Sequence, residues 1–310
     1  MAIVTDAGRR IAVLAAPTAA GKTAAAMAMA RSTPLEIVSA DAMQVYRGLD
    51  IGTAKPGPLE QVRVRHHVID VVAPTVAFSV ADYVRHAEAA IEDVLERGLV
   101  PLVVGGTGLY LRALAEGLPG TPSADRTLQA ELALELEARG LDALLEEIAR
   151  ASPADAARTQ RNPRRVLRAL EILRRTGRPA SAHPRRPPRF RYASAVLLPD
   201  QATLEARVRA RTRRMIDGGW LDEVRALIPT MPRWATASQA IGYEDLRRHL
   251  QGECTLEEAV ARIETATLRY AKRQRTWFRR TPSDAARWLG TGEGHLDDLD
   301  AWLRARVGRR

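Results

Sequence analysis

Cysteine is almost missing from this sequence. Cys254 stands alone among 310 residues, so no internal disulfide can form and no multi-cysteine zinc site can be built. Long apolar runs are missing too: no stretch of about 18 uncharged residues could cross a bilayer. Residues 1–10 hold no apolar centre ahead of small residues, so no secretion leader is expected, and the expectation is a cytosolic protein with no membrane association. Lysine is the third scarcity. Only Lys22, Lys55 and Lys272 stand among 47 cationic side chains, and Asn162 is the only asparagine, a skew that reads as GC-rich coding. Where such pressure turns lysine into arginine, a surviving lysine marks a place that needs a compact ammonium and not a planar fork. What is abundant is positive charge: a net +10 points to a polyanionic partner, because clustered cations displace counterions condensed on phosphates.

The first third alternates strand and helix. Residues 11–16, 36–39, 68–72 and 101–104 read as short buried strands, with helical spacing over 23–31 and 80–97. Strands separated by helices imply a parallel sheet with right-handed crossovers. From 124 to about 175 the strand signal vanishes and amphipathic helices remain, over 128–139 and 141–150. The Pro/Arg-rich stretch 177–191 reads as a return linker. Residues 193–198 read as a returning strand, and helices follow over 204–218, 221–227, 257–280 and 296–307. The fold class is therefore α/β: a P-loop NTPase-like parallel sheet flanked by helices, formed by 1–120 and 192–310, with a helical insertion over 121–191.

Ala16-Pro17-Thr18-Ala19-Ala20-Gly21-Lys22-Thr23 follows an apolar strand and precedes a helix, the context required of a phosphate loop. Loop and helix N–H groups would face anionic oxygens, Lys22 would add a point charge, and the Thr23 hydroxyl could ligate Mg²⁺. Ala16 replaces the usual first glycine, at some loss of backbone freedom. A nucleotide kinase would fit this loop equally well.

The segments that follow separate these readings. Residues 38–56, VSADAMQVYRGLDIGTAKP, resemble the signature of the tRNA dimethylallyltransferase family nearly letter for letter. So do 66–70 (HHVID), 78–83 (FSVADY), 105–111 (GGTGLYL), 168–171 (RALE), 239–243 (QAIGY) and 270–279 (YAKRQRTWFR). These matches run in family order from Ala16 to Arg279.

That resemblance implies a diphosphate of dimethylallyl diphosphate held by the phosphate loop with Mg²⁺ while an adenine amine attacks the allylic carbon. Such a leaving group departs once its charge is neutralised, and a poorly basic exocyclic amine needs an acceptor for its proton. By resemblance Asp41 is that base, and Thr107 donates to the bridging oxygen of the departing diphosphate. Read without the family, a helix N-cap is the lesser alternative for Asp41, and an ordinary turn residue an equal one for Thr107. The family pattern further implies that Asp41, Ala42, Met43, Gln44 and Thr107 touch the target adenosine and its neighbours. The insertion becomes a tRNA-binding domain. Gln129, Arg164, Arg165, Arg168, Gln239, Gly242, Tyr243, Lys272, Arg273, Gln274, Trp277 and Arg279 would hold the tRNA anticodon stem-loop. For Trp277 and Phe278 a core position is the alternative to base stacking. The implied product is N6-dimethylallyladenosine 3′ of the anticodon in tRNAs that read U-initial codons, made by a monomer.

Several positions depart from the family. Ala20 and Ala42 stand where serine is common, Arg161-Asn162 where Asn-Asp is common, and Gln129 where arginine is frequent. The pair His66-His67 does not suggest a metal site, since neighbours on a strand face opposite ways. Two rival classes remain: a small-molecule enzyme, either an isopentenyltransferase on free adenine nucleotides or a P-loop kinase, and a non-catalytic RNA-binding protein. The helical insertion argues against the first, and the intact set Lys22, Thr23, Asp41 and Thr107 against the second.

Overall fold

The apolar runs of the sequence pair into one sheet. The computed structural model describes residues 10–280, 286–289 and 295–307; residues 1–9, where no leader is expected, lie outside them. In chain order the first part runs β1 (Arg10–Ala15), α1 (Lys22–Met29), β2 (Leu35–Ala40), α2 (Pro58–Arg63), β3 (His66–His67), α3 (Val80–Glu96), β4 (Val100–Gly105) and α4 (Gly108–Glu116). Then come α5 (Arg126–Ala151), α6 (Pro153–Arg158) and α7 (Pro163–Thr176). The chain continues through β5 (Arg191–Leu197), α8 (Gln201–Asp217), α9 (Trp220–Leu227), α10 (Tyr243–Leu250), α11 (Leu256–Arg279), β6 (Ala286–Leu289) and α12 (His295–Val307).

Six strands lie in the order β3-β2-β4-β1-β5-β6, and every neighbouring pair is parallel. Every residue of β2 and β4 is buried, as expected of central parallel strands covered on both faces. On one face the alanines of α1 let that helix lie close to the strands, and Leu299, Trp302 and Leu303 of α12 complete the same core. β1, β4 and β2 are adjacent, so their carboxyl ends bring the phosphate loop, Thr107 and Asp41 to one edge. That is the crevice where parallel α/β sheets bind ligands. Only glycine fits at the end of β4, because a Cβ on Gly105 would stand 2.2 Å from the Ala40 carbonyl oxygen.

The third strand differs from the expectation of 68–72. It covers only His66–His67, and Val68 (φ 60°) and Asp70 (φ 55°) then turn left-handed. The chain is redirected because 70–72 pairs with the loop after β2: Asp70 N donates to Gln44 O at 3.1 Å and Val72 N to Val45 O at 3.0 Å. Lys55 locks this arrangement, its ammonium meeting Tyr46 O at 2.8 Å, Asp50 Oδ1 at 2.5 Å and Asp70 Oδ1 at 2.6 Å. Three acceptors around one point suit an ammonium better than a planar guanidinium. His67 Nε2 and Arg97 share Glu36, at 2.6 and 2.7 Å from Oε2, while His66 Nδ1 bonds Val64 O at 2.7 Å.

The chain divides into two compact units, Met1–Ala115 with Arg189–Arg310, and Glu116–Pro188. The expected boundaries at 120/121 and 191/192 shift because 118–120 pairs with 184–186: Gly120 N donates to Pro184 O and Arg186 N to Leu118 O, both at 2.8 Å. These two stretches therefore belong to the helical unit, and Arg191 already opens β5. In that unit Leu132, Leu144, Ile148, Val166 and Leu170 form a separate core, and α5 breaks at Gly140 (φ 77°, ψ 164°), between the two helices expected there. Among the described residues no helix is long and apolar enough to cross a membrane.

Candidate active site

The phosphate loop leaves β1 and turns left-handed twice, at Ala19 (φ 61°) and Gly21 (φ 91°). The second turn caps α1 without any side-chain hydrogen bond, which leaves the N–H groups of the first helical turn open to an anion. Ala16 and Ala20 are buried in the sheet core, so the missing glycine and the missing serine hydroxyl both become packing. Loss of hydration pushes the Lys22 ammonium below its ordinary range; Asp41 opposes the shift and Arg211 adds to it. Arg207 of α8 donates to Ala20 O at 3.2 Å.

Asp41 and Thr107 meet through the backbone. Ala42 N donates to Thr107 Oγ1 at 3.0 Å, Met43 N donates to Asp41 Oδ1 at 2.9 Å, and Thr107 N donates to Ala40 O at 3.1 Å. Gln274 of α11 brackets the two loops from the other side. Its Oε1 accepts from Thr18 N and its Nε2 donates to Gly106 O, each at 2.8 Å. A Cβ on Gly106 would lie 2.5 Å from that Nε2, so glycine is required for the bracket to close.

These elements surround a cavity of about 310 Å³. Thr18, Asp41, Arg211 and Arg273 give it a polar end, while Met215, Trp220 and Ile263 give it apolar walls. Arg211 lines this cavity and its Nε is buried without a hydrogen-bond partner, so its cation stands beside space that an anion can fill. Tyr270 also lines the cavity, and burial, with the charge of Asp41 next, raises its phenol to about 12, so it stays protonated. Arg273 lies over the Tyr270 ring at 5.7 Å. Glu223 of α9 shapes the floor by accepting from the N–H groups of Asp50 (2.9 Å), Ile51 (2.6 Å) and Gly52 (3.2 Å) and from Tyr243 Oη (2.7 Å).

Of the residues read from sequence, the cavity collects Thr18, Asp41, Ala42, Met43, Gln239 and Arg273. Others are used inside the protein. Gln44 is buried, taking the Ser39 hydroxyl at 3.1 Å and donating to Thr53 O and Ala54 O at 3.3 and 3.2 Å, so its amide orders a loop and does not face the cavity. Tyr243 is buried on Glu223, and Gly242 presses against the Trp220 ring. Trp277 packs on Gly108, where a Cβ would stand 2.6 Å from the ring, and meets Phe278 edge-on at 5.1 Å. Phe278 is buried in the core, while Trp277 is half-buried against Gly108 and Phe278. In the helical unit Glu171 is fully buried and takes Asp125 N at 2.6 Å, Gln129 Nε2 at 3.0 Å and Arg168 Nη1 at 2.8 Å. Gln129 and Arg168 are therefore ligands of a buried carboxylate. Arg164, Arg165, Lys272 and Arg279 are exposed.

Reading the sequence missed Arg207, Arg211, Trp220 and Glu223. The 207–211–215 spacing on α8 was available as a signal, but arginines at 209, 213 and 214 obscure which face turns inward.

A parallel α/β sheet with a phosphate loop at its carboxyl edge, a lysine and an arginine beside that loop and a carboxylate in an adjoining cavity defines a phosphate-loop transferase. The chain matches the IPP transferase family over residues 44–281 and the isopentenyl transferase family over 9–76. It is 53% identical over 298 residues to the tRNA dimethylallyltransferase of Thermus thermophilus, covering 96% of this chain and 99% of that protein. Against the Deinococcus radiodurans tRNA dimethylallyltransferase it is 50% identical, over 96% and 97% of the two chains. Among solved structures, full-length tRNA isopentenylpyrophosphate transferase from Bacillus halodurans aligns with TM-score 0.71 at 33% identity, covering 96% and 97% of the two chains. A eukaryotic dimethylallyltransferase described as acting on tRNA aligns with TM-score 0.79 at 26% identity, over 96% of this chain and 78% of that one. This chain belongs to the tRNA dimethylallyltransferase family of prenyltransferases.

Proposed function

We propose that this chain transfers the dimethylallyl group of dimethylallyl diphosphate to N6 of the adenosine 3′ of the anticodon in tRNAs that read U-initial codons. The observation that carries the reading is a single cavity that joins the phosphate-loop Thr18 and Arg211 to the carboxylate of Asp41. In the reaction the allylic C–O bond breaks and its electron pair leaves on the bridging oxygen of the diphosphate. A C–N bond forms to the adenine amine, and one amine proton passes to Asp41. Lys22, Arg211 and the open N–H groups of α1 receive the leaving charge, interactions that strengthen as it develops. Thr107 accepts the Ala42 N–H and lies against the Tyr270 phenol, and in the reaction its hydroxyl hydrogen turns to the bridging oxygen.

The donor set also fits Mg²⁺. Thr23 is half-buried in the first turn of α1 and its hydroxyl makes no hydrogen bond among the described residues, and a hydroxyl beside diphosphate oxygens is the hard-oxygen environment that ion takes. Bound there, Mg²⁺ supplies further charge neutralisation at the leaving group.

The experiment is single-turnover transfer with saturating tRNA and donor, analysed by mass spectrometry of the nucleosides, beside filter binding of tRNA. Asp41→Asn keeps the size of the side chain and removes its charge and basicity, so the rate should fall about 10²-fold or more with tRNA affinity little changed. An unchanged rate with lost tRNA binding would make Asp41 a positioning group only. Transfer to free adenosine monophosphate as fast as to tRNA would refute the substrate assignment.

A further inference from the structure

Two helices carry a gradient of polarity along the cavity. On α8, Arg207, Arg211 and Met215 follow at four-residue intervals and so share a face, each step about 6 Å along the axis. On α11, Gln274, Tyr270, Thr267 and Ile263 share a face in the same way, spanning about 16 Å. Arg207 bonds Ala20 O and Gln274 bonds Thr18 N, so the phosphate-loop ends of both stripes are fixed, and α8 and α11, which pack together, run in opposite directions. Moving away from the loop, one passes from Arg207 and Gln274 to Arg211 and Tyr270, and then to Met215 and Ile263, 8% and 2% exposed.

Trp220 stands at the apolar end and is 1% exposed. It is clamped. A Cβ on Gly52 would stand 2.2 Å from its Nε1, and one on Gly242 would stand 2.3 Å from its Cη2, so backbone touches the indole at both edges. Tyr243 packs against it edge-on at 5.7 Å, and its Nε1 meets no acceptor at hydrogen-bonding geometry. The backbone at Gly52 cannot retreat freely, because the Glu223 carboxylate holds the N–H groups of residues 50–52.

We propose that Trp220, clamped between Gly52 and Gly242, is the wall that restricts the allylic donor to five carbons. The proposal rests on the transferase reading above and adds the determinant of donor length. With the diphosphate held at Lys22 and Arg211, the apolar space before the wall is about one helical turn on α8, from Arg211 to Met215. A dimethylallyl group is of that length, and a ten-carbon chain must displace the indole. Hydrophobic pockets discriminate homologous chains by about 10- to 200-fold per excluded group, which a rigid wall supplies without any specific hydrogen bond.

The test is a competition: dimethylallyl diphosphate and geranyl diphosphate at equal concentration with tRNA, the ratio of five- to ten-carbon modified adenosine being read by mass spectrometry. A ratio within one tube is insensitive to the fraction of folded enzyme. Wild type should give five-carbon product alone. Trp220→Ala should shift the ratio toward the ten-carbon product by about tenfold or more. Met215→Ala, a milder change on the same wall, should shift it in the same direction by less, and decides the question if Trp220→Ala does not fold. Unchanged ratios in variants that still transfer the five-carbon group would overturn the proposal. So would unchanged ratios with a raised tRNA requirement, which would give the apolar end to the adenine. Absence of transfer by wild type from either donor would overturn the transferase reading, and the length rule with it.

Discussion

A single glutamine shows how much of this site depends on groups that do no chemistry. Gln274 ties Thr18 N to Gly106 O and so sets the separation between the phosphate loop and the turn that carries Thr107. Its carboxamide supplies one acceptor and one donor, a pairing that glutamate or methionine cannot reproduce. Gln274→Met leaves a buried N–H and a buried carbonyl without partners, a loss of about 1–3 kcal/mol in stability. Because the loop then relaxes, dimethylallyl diphosphate should also bind about tenfold more weakly, by the scale of one lost hydrogen bond. Calorimetric titration beside thermal melting would check both, and a variant that melts lower but binds normally would reduce Gln274 to a packing residue.

At the scale of elements, charged side chains in the fold mostly serve as fasteners between segments. Glu36 of β2 joins β3 through His67 and the end of α3 through Arg97. The Arg97 guanidinium, against the opposing effect of burial, holds its carboxyl down at about 2, from an ordinary 4.5. A depressed carboxylate stabilises the fold fully above its unfolded value and loses that contribution as pH falls from about 4.5 toward 2. At 1.36 kcal/mol per unit this amounts to at most about 3 kcal/mol. Glu36→Gln should therefore lower the melting temperature at pH 7 and flatten the acid loss between pH 5 and 2. An acid transition of unchanged steepness would show that the Arg97 pair is screened by solvent. Glu223 and Glu171 have the same character, one ordering the loop at 50–52 and the other gathering Asp125, Gln129 and Arg168.

Across the whole molecule the net charge of +10 divides into cations with internal partners and cations open to solvent. Arg168 is of the first kind: burial pushes Glu171 up, but Arg168, Asp125 N–H and Gln129 together outweigh it and keep it ionised below its ordinary value. Arg168→Ala should thus destabilise the helical unit and leave the salt dependence of tRNA binding unchanged. Lys272 is exposed, and so is Arg165, whose one side-chain bond goes to the exposed Gln160 amide at 2.6 Å; substituting either should lower the slope of log affinity against log salt by about one unit if each neutralises one phosphate. Filter binding between 50 and 200 mM salt, about the range over which such contacts weaken, would separate the two classes. A slope change in Arg168→Ala equal to that in Arg165→Ala would contradict the division.

The sequence by itself determined the alternation of strands and helices, the phosphate loop, the helical insertion and the family. These are written in local apolar periodicity, in Gly21-Lys22-Thr23 and in short ordered motifs. Its family resemblance also gave Asp41 and Thr107 roles in one site, which the adjacency of β2 and β4 then brings together. Only the tertiary structure decided which polar residues of those motifs are free. Gln44 and Gln274 sit in the same signatures as Asp41 and Lys272, yet their side chains are buried and close the fold, because a buried amide must satisfy whichever neighbours packing brings to it. The brief third strand, the indole clamped by two glycines distant in sequence and the inward face of an arginine-rich helix depend likewise on long-range contacts. No local pattern encodes such contacts, so residues such as Arg211 and Trp220 emerge only when the chain is folded.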